Sequence, residues 1–337
     1  MRTAALAIAA ALCFRAGVSQ AAEPVSAPAT TSAGAPAPCA PEEKSHRELG
    51  GHFFMPSHLT TEPFSYTSFG TFFGLGAGQA LGPTVDWSTS PPTVGPSKWY
   101  AYNSLAQQFQ LDVRIIEYLS LGLAASGYVY TGSGADAIIA VGSGVNLSGT
   151  FAVKGSLPIG DRVRLSLALS AQYGPVFNVL LAQGIRDIIT NCEKGNCPVN
   201  LGSFLQQNDT VTWGATLTGA WAPWAFLGVN LNLSYLNPRK TGTASVSENG
   251  LYFAGTLDFD AKPLVRWLPV GVNFGYALTS PIGGNGTATT QDWEFGFYYT
   301  GRKDMSVGLE LDWKSGRLNS EQIQNSTTAW INFKYYW

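Results

Sequence analysis

Charge is what this chain has least of: Asp, Glu, Lys and Arg make up 12 % of its 337 residues, about half the share usual in water-soluble proteins. Long apolar runs are scarce too. Past the N-terminus no uninterrupted stretch approaches the ~20 residues that a transmembrane helix needs. A surface too poor in charge for water, on a chain without membrane-spanning helices, leaves the closed β-barrel as the spanning architecture. Histidine is rarer still. His46, His52 and His58 are the three, and all precede the first strand pattern. Hydrolases built on a histidine base are therefore not expected. Asp292, Glu294 or Glu310 could serve a paired-carboxylate hydrolase, but inward carboxylates read more simply as lumen lining, so no catalytic residue is assigned. The three histidines raise the question of a metal site, yet in a flexible segment they read as solvent-exposed, and neither metal nor cofactor is expected. A net charge of −2 leaves no nucleic-acid footprint. Gly74, Gly76 and Gly78 alternate along one strand and its exit, which relieves crowding and does not form a phosphate loop.

The N-terminus sets the expected compartment. Arg2, the apolar run 4–14 and Ser19 and Ala21 before a small residue fit a secretory signal peptide over 1–21. Eleven apolar residues span only about 16 Å as a helix, too short for a bilayer. Leu12 before Cys13 argues against a lipoprotein signal. Residues 22–60, rich in Ala, Pro, Thr and Ser at first and then carrying the histidines, read as a disordered periplasmic linker. Residues 61–337 are then the barrel.

Alternation with period two carries that assignment. In 143–157, Val145, Leu147, Phe151 and Val153 share one face, and Asn146, Ser148, Thr150 and Lys154 share the other. After a turn at 158–161, the segment 162–173 returns with Val163, Leu165, Leu167 and Leu169 against Arg162, Arg164, Ser166 and Ser170. A helix would not put every second residue on one apolar face. Ten more segments follow the same pattern, near 64–77, 105–117, 120–130, 210–221, 225–236, 250–260, 269–279, 289–299, 305–314 and 326–337. The total is twelve, giving an all-β, 12-stranded antiparallel transmembrane β-barrel. Short and long connections alternate along the chain, as periplasmic turns and extracellular loops do. Trp213, Trp221, Trp224, Trp267, Trp293, Tyr299 and Trp313 fall near strand ends, where interfacial girdles form.

The last segment is the most specific. Phe333, Tyr335 and Trp337 alternate outward with Ile331 and Ala329, and Lys334, Asn332 and Trp330 face the lumen. This alternating strand with a terminal aromatic resembles the assembly signal of the Gram-negative outer-membrane β-barrel superfamily. The resemblance covers almost the whole mature chain, as an architecture and not as a single family. It implies a multi-pass protein of the bacterial outer membrane, with the lipid bilayer, the barrel-assembly machinery and a small-molecule solute as partners.

Function is then sought in the lumen and loops. Asp112, Arg114, Lys154, Arg162 and Arg164 form a mostly basic arc; Asp258, Asp260, Asp292, Glu294, Glu310 and Asp312 form an acidic arc, with Lys314 at the mouth. Six strands apart, the two arcs face each other. They either set a transverse field across an open pore or pair and seal it, and near-cancellation predicts weak ion selectivity. Small inward residues (Gly122, Ala124, Ser126, Gly214, Thr216, Gly228, Gly271, Gly275 and Ala277) favour a narrow passage. Within the long loop 174–209, Val176, Val179, Leu180, Ile185, Ile188 and Ile189 recur near helical spacing and suggest a gate. Residues 135–141 are also apolar. Cys192 and Cys197 suit a small disulfide-closed loop, with metal binding the alternative, and Cys39 is left over. The expected function is an outer-membrane channel or uptake protein for small solutes, apolar or aromatic compounds among them. A structural or adhesive barrel with a plugged lumen is the alternative, and a barrel enzyme a remote one.

Overall fold

The computed structural model describes residues 47–86, 88, 93–179, 181, 204–241, 249–282, 289–317 and 323–337. Two short strands come first, β1 (Glu48–Leu49) and β2 (His52–Phe53). Twelve long ones follow: β3 (Ser68–Asp86), β4 (Thr93–Ile116), β5 (Leu119–Gly132), β6 (Ser143–Ile159), β7 (Val163–Val179) and β8 (Leu205–Trp224). The second half supplies β9 (Leu227–Thr241), β10 (Asn249–Asp260), β11 (Val270–Ile282), β12 (Thr290–Tyr299), β13 (Met305–Arg317) and β14 (Ile323–Tyr336). Each pairs antiparallel with its sequence neighbours, and β14 pairs with β3 from Gln324↔Ala80 to Tyr336↔Ser68, closing the barrel.

Closure joins the first and last strands, so the barrel wall has no open sheet edge along its paired length. The faces are inverted relative to a soluble protein. Leu123, Leu167, Leu169, Leu309 and Leu311 are all more than half exposed on the outside, whereas Asn230, Asn273, Glu294, Glu310, Asn332 and Lys334 are buried within. An apolar belt around a polar interior is the solution a bilayer demands. Phe333, Tyr335 and Trp337 lie on this outer face, as do the seven girdle aromatics.

All twelve segments read from alternation are present, several reaching further on the long-loop side. The long loop is correspondingly shorter than expected. Val176 and Val179 belong to β7 and not to a helix, because residues 174–179 pair with 205–210 of β8. Leu180, Ile185, Ile188, Ile189, Cys192 and Cys197 lie outside the described residues, as do 1–46 and with them Cys39 and the expected signal peptide. The apolar stretch 135–141 forms α1 (Ala135–Val141). It packs over the inward face of the barrel rim, with Ala137 against Gly132 and Ala140 against Gly82.

Two further expectations change. Residues 64–67 do not start the first strand, which begins at Ser68. Nor are 47–60 a flexible linker: Leu49, Phe53, Phe54, Met55 and Leu59 are all buried, as is His52. Their aromatic and apolar side chains are what separates this stretch from the Ala/Pro-rich sequence before it.

Candidate functional site

Residues 47–67 form a plug inside the barrel. The β1–β2 hairpin turns through Gly50 and Gly51, both at positive φ (55° and 85°), a conformation glycine adopts without strain. It sits at the short-turn mouth, where Gly50 N–H donates to Asp161 O at 2.8 Å. The Arg47 guanidinium lies 4.2 Å over the Tyr336 ring and reaches Arg302 O and Met305 O at 3.3 Å each. The chain then climbs along the β9–β13 wall and returns along the opposite wall, and Thr67 O accepts from Trp337 N–H at 3.0 Å.

Small inward residues make room for the climb. A Cβ on Gly271 would overlap Met55, one on Gly228 would overlap His52, and one on Gly275 would press on Leu59. The small positions on β9 and β11 thus accommodate the plug and do not leave a passage. Gly122 and Ala124 on β5 border open space instead. A cavity of about 270 Å³ remains between the plug and this wall, bounded by Tyr66, Phe72, Gln110, Ala124, Thr150 and Lys154.

The charged arcs neither face an open pore nor pair with each other; the plug bridges them. On the acidic side, Met55 N–H donates to Asp258 Oδ2 at 3.3 Å and Ser57 Oγ to Glu294 Oε2 at 2.7 Å. His58 inserts among three carboxylates. Its Nδ1 lies 2.6 Å from Glu310 Oε2 and 3.0 Å from Glu294 Oε2, and its Nε2 lies 3.2 Å from Asp312 Oδ2. Trp330 stacks on the ring at 5.3 Å, in space that Gly74 provides, since a Cβ there would stand 2.6 Å from the indole. At the plug's top, Tyr252 donates to Leu59 O at 2.6 Å and Asn230 to Thr60 Oγ1 at 3.1 Å.

On the basic side the plug presents the opposite sign. Glu62 meets Lys334 Nζ at 3.3 Å, and Lys154 Nζ donates to the Glu62 carbonyl at 3.1 Å. Tyr66 lies under both ammonium groups, and Arg164 lies 5.5 Å over the Phe64 ring. Asp112 also approaches Lys334, at 3.8 Å. A buried carboxylate and ammonium require this mutual pairing, because each alone in a low-dielectric interior costs several kcal/mol.

Of the eleven charges in the two arcs, Asp112, Lys154, Arg164, Asp258, Glu294, Glu310 and Asp312 face the plug or its cavity, and Asp260 accepts from Thr300 Oγ1 at 2.8 Å. Asp292 pairs with Lys314 at 3.4 Å above the plug. Arg114 and Arg162 stand at the short-turn mouth, Arg162 donating to Pro223 O at 3.1 Å. The residues that sequence reasoning did not single out are Glu62 on the plug and Asn273 and Tyr298 on the wall; Lys334 and Asn332 face the lumen as expected, whereas His58, expected to be solvent-exposed, is inserted among carboxylates. His52 is also buried, with Nδ1 3.3 Å from Ala225 O, and burial pushes its pKa down to about 4.

No protein-family model matches the chain, and no curated protein matches it. Solved barrels do. A KdgM porin matches at 11 % identity and TM-score 0.38, over 77 % of this chain and 99 % of the other. A Pseudomonas aeruginosa FadL homologue matches at 8 % and 0.46, over 81 % and 91 %. The transport unit of the autotransporter AIDA-I from Escherichia coli matches at 9 % and 0.45, over 85 % and 94 %. What defines the architecture here is the closed sheet and its apolar belt.

Proposed function

We propose that this protein is an outer-membrane channel for small solutes whose lumen is held closed by its own residues 47–67. The observation that carries the reading is how the lumen is filled. A polar barrel interior could be sealed permanently by side chains reaching across it; here a separate strip of chain does the sealing. Hydrogen bonds and ion pairs hold it to the wall together with apolar packing of Phe54, Leu59 and Phe64, and the barrel's strand ladder does not run through it. The cavity beside it sits just below the ~300 Å³ at which pockets for drug-sized ligands begin, so the solute is small. Its lining mixes Tyr66 and Phe72 with Gln110, Thr150 and Lys154, a match for a solute with both apolar and polar parts. The bilayer and the barrel-assembly machinery belong to this reading as partners.

A second reading, a structural barrel plugged for good, draws on the many buried contacts the plug makes. Planar-bilayer recording separates the two. The channel reading expects rare openings from the intact protein and a steady open level once residues 47–66 are deleted. An intact protein that never opens, together with uptake of small solutes unaffected by its removal from cells, would favour the structural barrel.

A further inference from the structure

The place where His58 meets β12 and β13 is built with more negative charge than hydrogen bonding can satisfy. Glu294 stands directly opposite Asp312 in the register, and Glu310 is opposite Gly296, two pairs further along and on the same face. Like charges opposite each other on neighbouring strands destabilise a sheet, and these three side chains are all buried. A single imidazole from the plug faces all of them. Its Nδ1 carries at most one proton, yet two carboxylate oxygens, Glu294 Oε2 and Glu310 Oε2, both point at it. One proton cannot serve both well. On the other side of the ring, Asp312 Oδ1 is buried without a hydrogen-bond donor.

The surroundings orient these groups as a coordination sphere is oriented. The far oxygen of Glu294 accepts from Asn273 Nδ2 at 2.6 Å. The far oxygen of Glu310 accepts from Tyr298 OH and Asn332 Nδ2. Both near oxygens are thereby turned toward Nδ1, though Glu294 Oε2 also accepts from Ser57 and keeps a lone pair free. Asp312 Oδ2 lies 3.2 Å from Nε2 without an aligned hydrogen bond, and its charge draws a proton to that nitrogen, which favours the tautomer with a bare Nδ1 lone pair. A carboxylate behind the histidine, and donors behind the ligating carboxylates, form the outer shell typical of metal sites.

We propose that His58, Glu294 and Glu310 bind a divalent transition-metal cation, with Asp312 as a positioning residue. The three donor atoms lie within 4.8 Å of one another, and one nitrogen with two carboxylate oxygens suits zinc and its neighbours. The cation would pin the plug to the wall, since one ligand comes from the plug and two from β12 and β13. The binding site stands whether or not solutes pass the barrel.

The test uses the refolded full-length chain, stripped with a chelator and titrated with Zn²⁺, with metal content measured after dialysis. One zinc per chain is expected. Affinity should fall more than about 100-fold in Glu310→Gln and His58→Gln, and by about 10–100-fold in Asp312→Asn. Co²⁺ added in place of zinc should give visible absorption bands that disappear in His58→Gln and shift in Asp312→Asn. His52→Gln should bind zinc as the parent does. Heat-modifiable migration identifies folded variants; if His58→Gln does not fold, Glu294→Gln and Glu310→Gln decide the matter. A parent chain that retains no zinc, or folded variants that retain it unchanged, would overturn the proposal.

Discussion

Replacing Lys334 with Met probes how the plug is held. The Lys334 ammonium is almost fully buried and satisfies Glu62 at 3.3 Å, Tyr66 OH at 3.0 Å and Asp112 at 3.8 Å. Methionine fills similar volume without charge, so the main effect is electrostatic. Glu62 then keeps a buried carboxylate whose remaining partners are hydroxyl groups, those of Tyr66 and Tyr336. Breaking a buried pair from one side costs about 3–5 kcal/mol. The strand ladder does not depend on Glu62, so this cost falls chiefly on the plugged state. At 1.4 kcal/mol per decade, ~4 kcal/mol multiplies the ratio of unplugged to plugged molecules by about 10³. Single-channel recording should register that change as a large rise in open probability. The double variant Glu62→Gln/Lys334→Met removes both charges and should recover most of the closed behaviour. Unchanged open probability in Lys334→Met, with the protein inserted and folded, would refute the idea that this pair holds the plug.

Other outcomes follow from the same geometry. Gly74→Val places a Cβ branch against Trp330 and should cost about 1–3 kcal/mol by overpacking, visible as a lower urea midpoint and an altered tryptophan emission. Leu309→Arg sets a cation on the lipid face near the middle of β13 and should cost about 2–4 kcal/mol in refolding into vesicles; a variant as stable as the parent would contradict the outward assignment. His52 is neutral in the folded protein because burial holds its pKa at about 4, against 6.5 in the unfolded chain. Between those values the unfolded state binds the extra proton, so stability declines as pH falls from 6.5 to 4. The loss attributable to His52 approaches ~3 kcal/mol at the low end. His52→Gln should flatten that part of the urea-midpoint profile, and a parallel profile would count against it.

How much of this was legible in the sequence depended on how local the signal was. Alternation is a property of ten or so consecutive residues, so strands such as β12 and β13 can be read directly, and with them the inward position of Glu294, Glu310 and Asp312. The strand tips were harder. Where β7 continues through Gly174 and Pro175, both faces of the wall no longer differ in polarity, and alternation fades. The plug carried no periodicity at all. Its clue was compositional: Phe53, Phe54, Met55, Leu59, Phe64 and Tyr66 crowd a stretch that a solvated linker would not furnish with aromatics. Reading Gly228, Gly271 and Gly275 as empty space missed that the same chain supplies what fills it. The partnership of His58 with Glu310 spans |i−j| of 252, and only the closed topology brings the two together.

A movable closure of the lumen by residues 47–67 can be locked reversibly. Thr61 Oγ1 on the plug lies 3.0 Å from Thr218 Oγ1 on β8, so cysteines at both positions, in a chain whose native cysteines are replaced by serine, can tie the plug to the wall. The oxidised double variant should be silent in a planar bilayer, and a reductant should restore its openings. Equal conductance in the oxidised and reduced states, with the crosslink verified by mass, would contradict a movable closure.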